Sequence, residues 1–138
     1  MTTSLIGGCR LIPLVRRGDE RGSLVAIERN KDVPFEILRA YAVFETGPEV
    51  PRGNHAHHAC RQLALSVTGR CRMILDDGKS RQDVWLDDPT KGLLIEPMVW
   101  HEMHDFSSDN VLLVLADMPY DEADYIRDYD LFLDISRS

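Results

Sequence analysis

The stretch Arg52-Gly53-Asn54-His55-Ala56-His57-His58 places two imidazoles two residues apart in a β pattern, followed by Gln62 and Gly69. Side chains alternate along a strand, so His55 and His57 share a face and His58 looks away. Such a pair in the mouth of a β-barrel commonly begins a metal site. The carboxylate that should follow four to five residues later is missing, and its slot holds Arg61 and Gln62. A neutral amide is a poor ligand for divalent iron, zinc or manganese. The imidazoles therefore point to proton transfer without a metal, with a three-histidine site completed by His101 as the other reading. Neutral imidazole takes and returns a proton near physiological pH. Moving hydrogen between adjacent carbons beside a carbonyl needs such a base, a donor for the enolate oxygen, and no external redox cofactor. Tyr41 is a candidate donor; it could equally be a half-buried strand aromatic.

Arginines form a second constellation. Arg52 precedes the histidine motif, Arg61 follows it, and Arg70 and Arg72 flank Cys71. Two residues apart, Arg70 and Arg72 share a strand face. Paired guanidiniums at a barrel mouth would suit a diphosphate, because their forked donors match its oxygens; a solvated outer face is the competing reading. The chain has no Gly-rich phosphate loop and no dinucleotide fingerprint, which argues against a nicotinamide or ATP enzyme.

The elements that must hold these groups are short. The chain has 138 residues, a formal net charge of −7, 43% hydrophobic and 28% charged residues. That is ordinary for one soluble domain over 1–138, and the acidic balance argues against nucleic-acid or anionic-membrane partners. Cys9, Cys60 and Cys71 form no Cys-x-x-Cys pair, so free thiols are expected in a reducing cytoplasm. Residues 1–10 lack a signal-peptide core, and no apolar run approaches a membrane span. Strand-like runs recur at Leu11–Val15, Ser23–Ile27, Ile37–Glu45, Leu63–Thr68, Cys71–Leu75, Asp83–Leu86, Gly92–Ile95 and Val111–Ala116. Arg17–Gly22, Thr46-Gly47-Pro48 and Asp87-Asp88-Pro89 read as breaks, and Asp77-Gly78 as a tight hairpin turn. Many short strands at regular spacing predict an all-β sandwich or barrel. Asp121–Leu133 lacks alternation and repeats aromatics at helical spacing, predicting one or two short helices packed outside it.

Gly53 to Gly69 fits the first half-motif of cupins, double-stranded β-helix (jelly-roll) barrels, and Gly92 to His104 loosely fits the second, with His101 in Pro97-Met98-Val99-Trp100-His101. Nearly the whole chain resembles the dTDP-4-keto-6-deoxyhexose 3,4-ketoisomerases, cupin-fold enzymes of nucleotide-sugar pathways that need no metal. The resemblance runs through Asp19–Glu28, Pro34-Phe35, Arg52–His57, Gly69–Arg72, Ile74–Gly78, Pro97–Phe106 and Asp121–Arg127. Asn54 departs from it, standing where an aromatic residue is expected. The resemblance implies that His57 is the base, with His55 and Tyr41 shuttling the proton between the two oxygens. Substrate contacts are expected from Arg52, Gln62, Arg70, Arg72, Arg21, Trp100, His101 and His104. It also implies no cofactor, a dTDP-linked 4-keto-6-deoxyhexose substrate, and a homodimer with exchanged N-terminal strands. Arg21-Gly22 together with His104 resembles the branch giving dTDP-3-keto-6-deoxygalactose, which a transaminase would then aminate at C3. A 3,5-epimerase-like cupin, the gluco-product isomerase and a non-catalytic nucleotide-sugar-binding cupin are the alternatives.

Overall fold

The computed structural model describes residues 2–47 and 49–138. Its strands are β1 (Thr3–Ser4), β2 (Arg10–Pro13), β3 (Arg16–Asp19), β4 (Gly22–Val25), β5 (Arg39–Phe44), β6 (Arg52–His57) and β7 (Gln62–Thr68). They continue as β8 (Cys71–Asp76), β9 (Arg81–Leu86), β10 (Lys91–Ile95), β11 (Trp100–His104), β12 (Val111–Ala116) and β13 (Tyr125–Ile126), with one α-helix, α1 (Tyr129–Arg137). Two antiparallel sheets, ordered β1-β2-β10-β7-β12-β5 and β13-β6-β11-β8-β9, close into the expected jelly-roll barrel. The edge strand β5 and the β13/β6 edge belong to different sheets, and the barrel's open cleft lies between them.

Alternation sorts the side chains into layers. Met73, Leu75, Leu93, Ile95, Met103, Leu112 and Val114 fill the interior. The opposite face of the larger sheet, with Leu63, Leu65, Leu94 and Leu115, is covered by Val33 and Phe35 from the segment before β5. Outside the smaller sheet, Phe132 of α1 is fully buried on Ala56, Trp100 and Ile126. The Asp128 carboxylate caps α1 by accepting from the amides of Asp130 and Leu131. At its other end Arg137 Nε donates to the Gly78 carbonyl at 2.9 Å.

The Asp77-Gly78 turn joins β8 to β9 as expected, with Gly78 at φ 94° and the Asp77 carboxylate accepting from the amides of Lys79 and Ser80. One expectation changes. Most of Arg17–Gly22 is not a break but lies in a β3–β4 hairpin that stands as its own two-stranded sheet, its turn at Glu20-Arg21. The expected short C-terminal helices are present outside the barrel, a 3-10 turn over Glu122–Asp124 and α1 from Tyr129, with β13 between them. β13 forms because Tyr125 and Ile126 pair with His57 and Ala56, a long-range partner that local periodicity does not contain. Pro48, in the turn expected after β5, lies outside the described residues.

Candidate active site

The histidine strand carries a bulge. Opposite β11, His101 pairs with His55 but Glu102 pairs with Gly53, so Asn54 is the extra residue. Gly53 and Asn54 have φ values of 82° and 52°. A Cβ at Gly53 would lie 3.2 Å from the His101 carbonyl, in a backbone region that favours glycine. Beyond the bulge, regular pairing points His55 and His57 inward, while Ala56 packs outward under α1.

His101, inward on β11, completes a buried trio. Its ring centroid lies 4.5 Å from that of His55 and 6.0 Å from that of His57; His55 and His57 are 4.9 Å apart. Each Nδ1 meets a group that accepts. His55 Nδ1–H donates to the Gly53 carbonyl at 2.9 Å, and His101 Nδ1–H to the Val99 carbonyl at 3.3 Å. His57 Nδ1–H donates to Asp124 Oδ2 at 3.0 Å. Asp124 is fixed in turn by the amides of Ala59 at 2.8 Å and Cys60 at 3.2 Å. The hydrogens sit on Nδ1, which leaves three Nε2 lone pairs buried and without partners. Burial lowers the pKa of all three, pushing His55 to about 4; at His57 the hydrogen bond to Asp124 opposes that fall. Neutral imidazole is therefore the resting form, and His57 has the carboxylate support a base needs.

Tyr41 faces inward from β5 and lines the cleft with His55. Gln62, almost wholly buried behind it, donates from Nε2 to the tyrosine oxygen at 3.0 Å. Tyr41 thus keeps its own O–H proton to donate elsewhere, and burial raises its pKa. Gln62 is therefore a support for Tyr41 and does not line the cleft itself. A divalent ion would find three imidazole donors in the cluster and no carboxylate among them.

The cleft, of about 380 Å³, is lined by Arg39, Arg52 and Arg127 together with Tyr41, Tyr120 and Tyr125. Glu122 engages Arg127 at 2.7 and 2.9 Å, whereas no carboxylate pairs with Arg39 or Arg52 among the described residues. Arg39 lies 5.0 Å from the Tyr41 ring and donates to the Tyr125 hydroxyl at 3.3 Å. In a chain of net charge −7, this is a local concentration of positive charge beside the histidines.

Of the residues expected from sequence, the fold brings together His55, His57, His101, Tyr41 and Arg52, with Gln62 behind the tyrosine. It does not bring the others. Arg72 follows the outward phase of β8, opposite Cys71 and Met73, and is held by Asp105 at 2.7 Å and Asp83 at 2.9 Å. Arg70 lies over the Trp85 ring at 5.2 Å. Trp100 and His104 take the outward phase of β11. Trp100 packs against Tyr129 and Phe132, and both donate to the Glu102 carboxylate, at 2.9 and 2.8 Å. Arg21 sits at the exposed hairpin tip on Asp19. Asp124, Tyr125, Arg39 and Arg127 were not expected in the site. Arg39 was readable as the strand neighbour of Tyr41 two residues away, but nothing local in the Asp121–Arg127 block marks Asp124 as a partner of His57.

The family model described as WxcM-like, C-terminal (FdtA) matches residues 7–137. A protein of Aneurinibacillus thermoaerophilus named TDP-4-oxo-6-deoxy-alpha-D-glucose-3,4-oxoisomerase is 58% identical over 114 residues, 83% of this chain and 82% of its own. The WlaRB TDP-quinovose 3,4-ketoisomerase of Campylobacter jejuni is 47% identical with a TM-score of 0.90, covering 94% of this chain and 99% of that one. QdtA, a sugar 3,4-ketoisomerase of Thermoanaerobacterium thermosaccharolyticum solved with TDP, is 37% identical with a TM-score of 0.94, covering 96% and 97%.

Proposed function

The chain belongs to the FdtA family (WxcM-like, C-terminal), and from that premise we propose that it is a TDP-4-keto-6-deoxyglucose 3,4-ketoisomerase. The observation that carries the reading is a set of neutral histidines, each with Nδ1 fixed, beside a tyrosine whose proton is available, in a cleft rimmed by Arg39 and Arg52, neither paired with a carboxylate among the described residues. His57 removes the proton from C3, and the electron pair becomes the C3–C4 double bond as the C4 carbonyl oxygen gains a proton from Tyr41. Loss of the O3 proton to His55 forms the C3 ketone as His57 returns its proton to C4, and His55 passes the O3 proton on to Tyr41, restoring the hydroxyl. Hydrogen has moved from C3 to C4 and from O3 to O4, so no external oxidant or reductant is needed. Arg39 and Arg52 offer charge to the diphosphate and to the enediolate.

The reading extends to a homodimer with exchanged N-terminal strands. Its support is the separate β3–β4 hairpin, which leaves Leu24 and the neighbouring Val15 exposed and carries Arg21 at its tip. Such an exchange would deliver Arg21 to another protomer's cleft. We further propose the galacto product, with the C4 hydroxyl axial; its support is Arg21-Gly22 alone, since His104 is bound to Glu102 outside the barrel. The three cysteines are free, which suits a cytoplasmic enzyme, and no helix is long and apolar enough to cross a membrane among the described residues. Residues 1–138 act as one unit in this scheme.

The test is incubation with TDP-4-keto-6-deoxyglucose in chelator-treated deuterated buffer, followed by proton NMR. The expected result is the 3-keto isomer with deuterium at C4; a parallel run in ordinary water, where C4 carries a proton, reports axial or equatorial hydroxyl through the H4–H5 coupling. Deuterium at C5 would identify a 3,5-epimerase instead, and binding without any exchange would identify a non-catalytic sugar-binding cupin. Light scattering of the purified protein checks the dimer.

A further inference from the structure

A carbonyl and a neighbouring hydroxyl exchange places in the proposed reaction, so two oxygens carry developing charge in turn. Tyr41 donates to the C4 oxygen, and His55 accepts the proton of O3. That leaves O3 without a donor at the moment it becomes the carbonyl oxygen. Tyr125 stands where one is needed. We propose that Tyr125 is a further catalytic residue, whose hydroxyl donates a hydrogen bond to O3 as Tyr41 donates to O4; this role rests on the ketoisomerase reading.

Register puts Tyr125 on the inward face. It pairs with His57 across β13 and β6, while Ile126 pairs with Ala56 and is buried under α1. The Tyr125 ring centroid lies 4.4 Å from that of His57 and 4.9 Å from that of His55, and the side chain lines the cleft with Tyr41. The two phenols are held alike. Gln62 Nε2 donates to the Tyr41 oxygen at 3.0 Å, and Arg39 Nη2 donates to the Tyr125 oxygen at 3.3 Å. A hydroxyl that accepts from a fixed donor turns its own hydrogen elsewhere. Among the described residues neither hydrogen has an acceptor. Tyr120, also in the cleft, differs: its hydrogen is spent on Glu122 Oε2 at 2.6 Å. Arg39 lies 5.0 Å from the Tyr41 ring as well, so one cation serves both phenols. Burial raises the Tyr41 pKa, and the neighbouring Tyr125 adds to the rise. Tyr125 keeps its proton throughout. As the O3 proton leaves for His55, charge gathers on O3, and a donor aimed there stabilises it without adding a transfer step. In the reverse direction, O3 is the carbonyl oxygen to be polarised before C4 gives up its proton.

The competing role for Tyr125 is a passive shelf for the two imidazoles, and Tyr125→Phe separates the two because the ring stays. Wild type and variant are incubated with TDP-4-keto-6-deoxyglucose in deuterated buffer. Proton NMR follows both the isomer and the deuterium at C3 of recovered substrate. Losing the donor to O3 strikes only the second half of the reaction. Isomer formation should fall roughly 10²-fold, while C3 exchange persists and calorimetric dTDP affinity is unchanged. Tyr41→Phe, at the other oxygen, should lose both isomer and exchange. Full isomer formation in Tyr125→Phe, or equal loss of isomer and C3 exchange, overturns the role. If Tyr125→Phe loses dTDP binding, 3-fluorotyrosine at position 125 decides, because it keeps ring and hydroxyl and changes the acidity of the donor. A changed ratio of isomer to C3 exchange then supports the role, and an unchanged ratio overturns it. Should the wild-type chain form no isomer, the ketoisomerase reading itself fails; isomer from wild type with an unaffected variant sinks Tyr125 alone.

Discussion

Asp124 Oδ2 lies 3.0 Å from His57 Nδ1 across 67 residues of chain, and both side chains are buried. The contact fixes which nitrogen of His57 bears hydrogen and turns the other toward the cluster. Asp124→Asn keeps the shape but weakens this control, since its amide can present either an oxygen or an NH₂ to the ring. A fall in kcat on the order of 10²–10⁴-fold with KM nearly unchanged is expected from steady-state kinetics. A shift confined to KM would show that Asp124 serves binding.

The histidines also set an acid limit. Protonation of His57 removes the proposed base, and burial lowers its pKa, so kcat/KM should hold through neutrality and fall only below pH 6.5. Stability should follow the same direction. Unfolded histidine takes up a proton near 6.5 and folded His55 only near 4, so between these values the unfolded chain binds more protons. Stability is intact above pH 6.5 and declines as pH falls toward 4, by roughly 3 kcal/mol from His55 alone. Urea melts across that range check it; a flat profile would mean the imidazoles are solvated.

The proton route predicts different losses at the two strand histidines. His57→Asn should abolish deuterium exchange at C3 while dTDP still binds. His55→Asn should slow the interconversion but leave C3 exchange detectable by NMR. Exchange lost in His55→Asn and kept in His57→Asn would transfer the base to His55.

Gln62 and Tyr41 should behave as a unit, because Gln62 Nε2 is 3.0 Å from the hydroxyl. Tyr41→Phe removes the donor and should lower kcat about 10²-fold or more. Gln62→Leu unanchors the hydroxyl, and the loss in the double variant should be smaller than the product of the two single losses. Independent, multiplicative losses would separate the two residues.

Charge in the cleft predicts where dTDP binds. Arg39→Gln or Arg52→Gln should weaken dTDP about 10–100-fold, the range for a lost charged hydrogen bond. Arg72→Gln, which breaks contacts to Asp83 and Asp105 on the outer face, should leave calorimetric dTDP affinity unchanged. Weakened binding in Arg72→Gln would place the diphosphate elsewhere.

Sequence alone determined the class of fold and the inner pair of histidines, because both depend on a period of two: apolar alternation writes the strands, and His-x-His writes the shared face. It also identified Asp77-Gly78 as a turn, since turn chemistry is local. Alternation says that Arg70 and Arg72, or Trp100 and His104, lie on one side, but not which side is the interior. Tertiary packing decided that, by burying Cys71, Met73, His101 and Met103 and sending their neighbours out toward Asp105 and α1. It likewise decided the partners of the inward cluster. The contacts of Asp124 with His57 and of Arg39 with Tyr125 join residues 67 and 86 positions apart. Such contacts exist only once two sheets close around a common interior, and no local pattern in the chain encodes that closure.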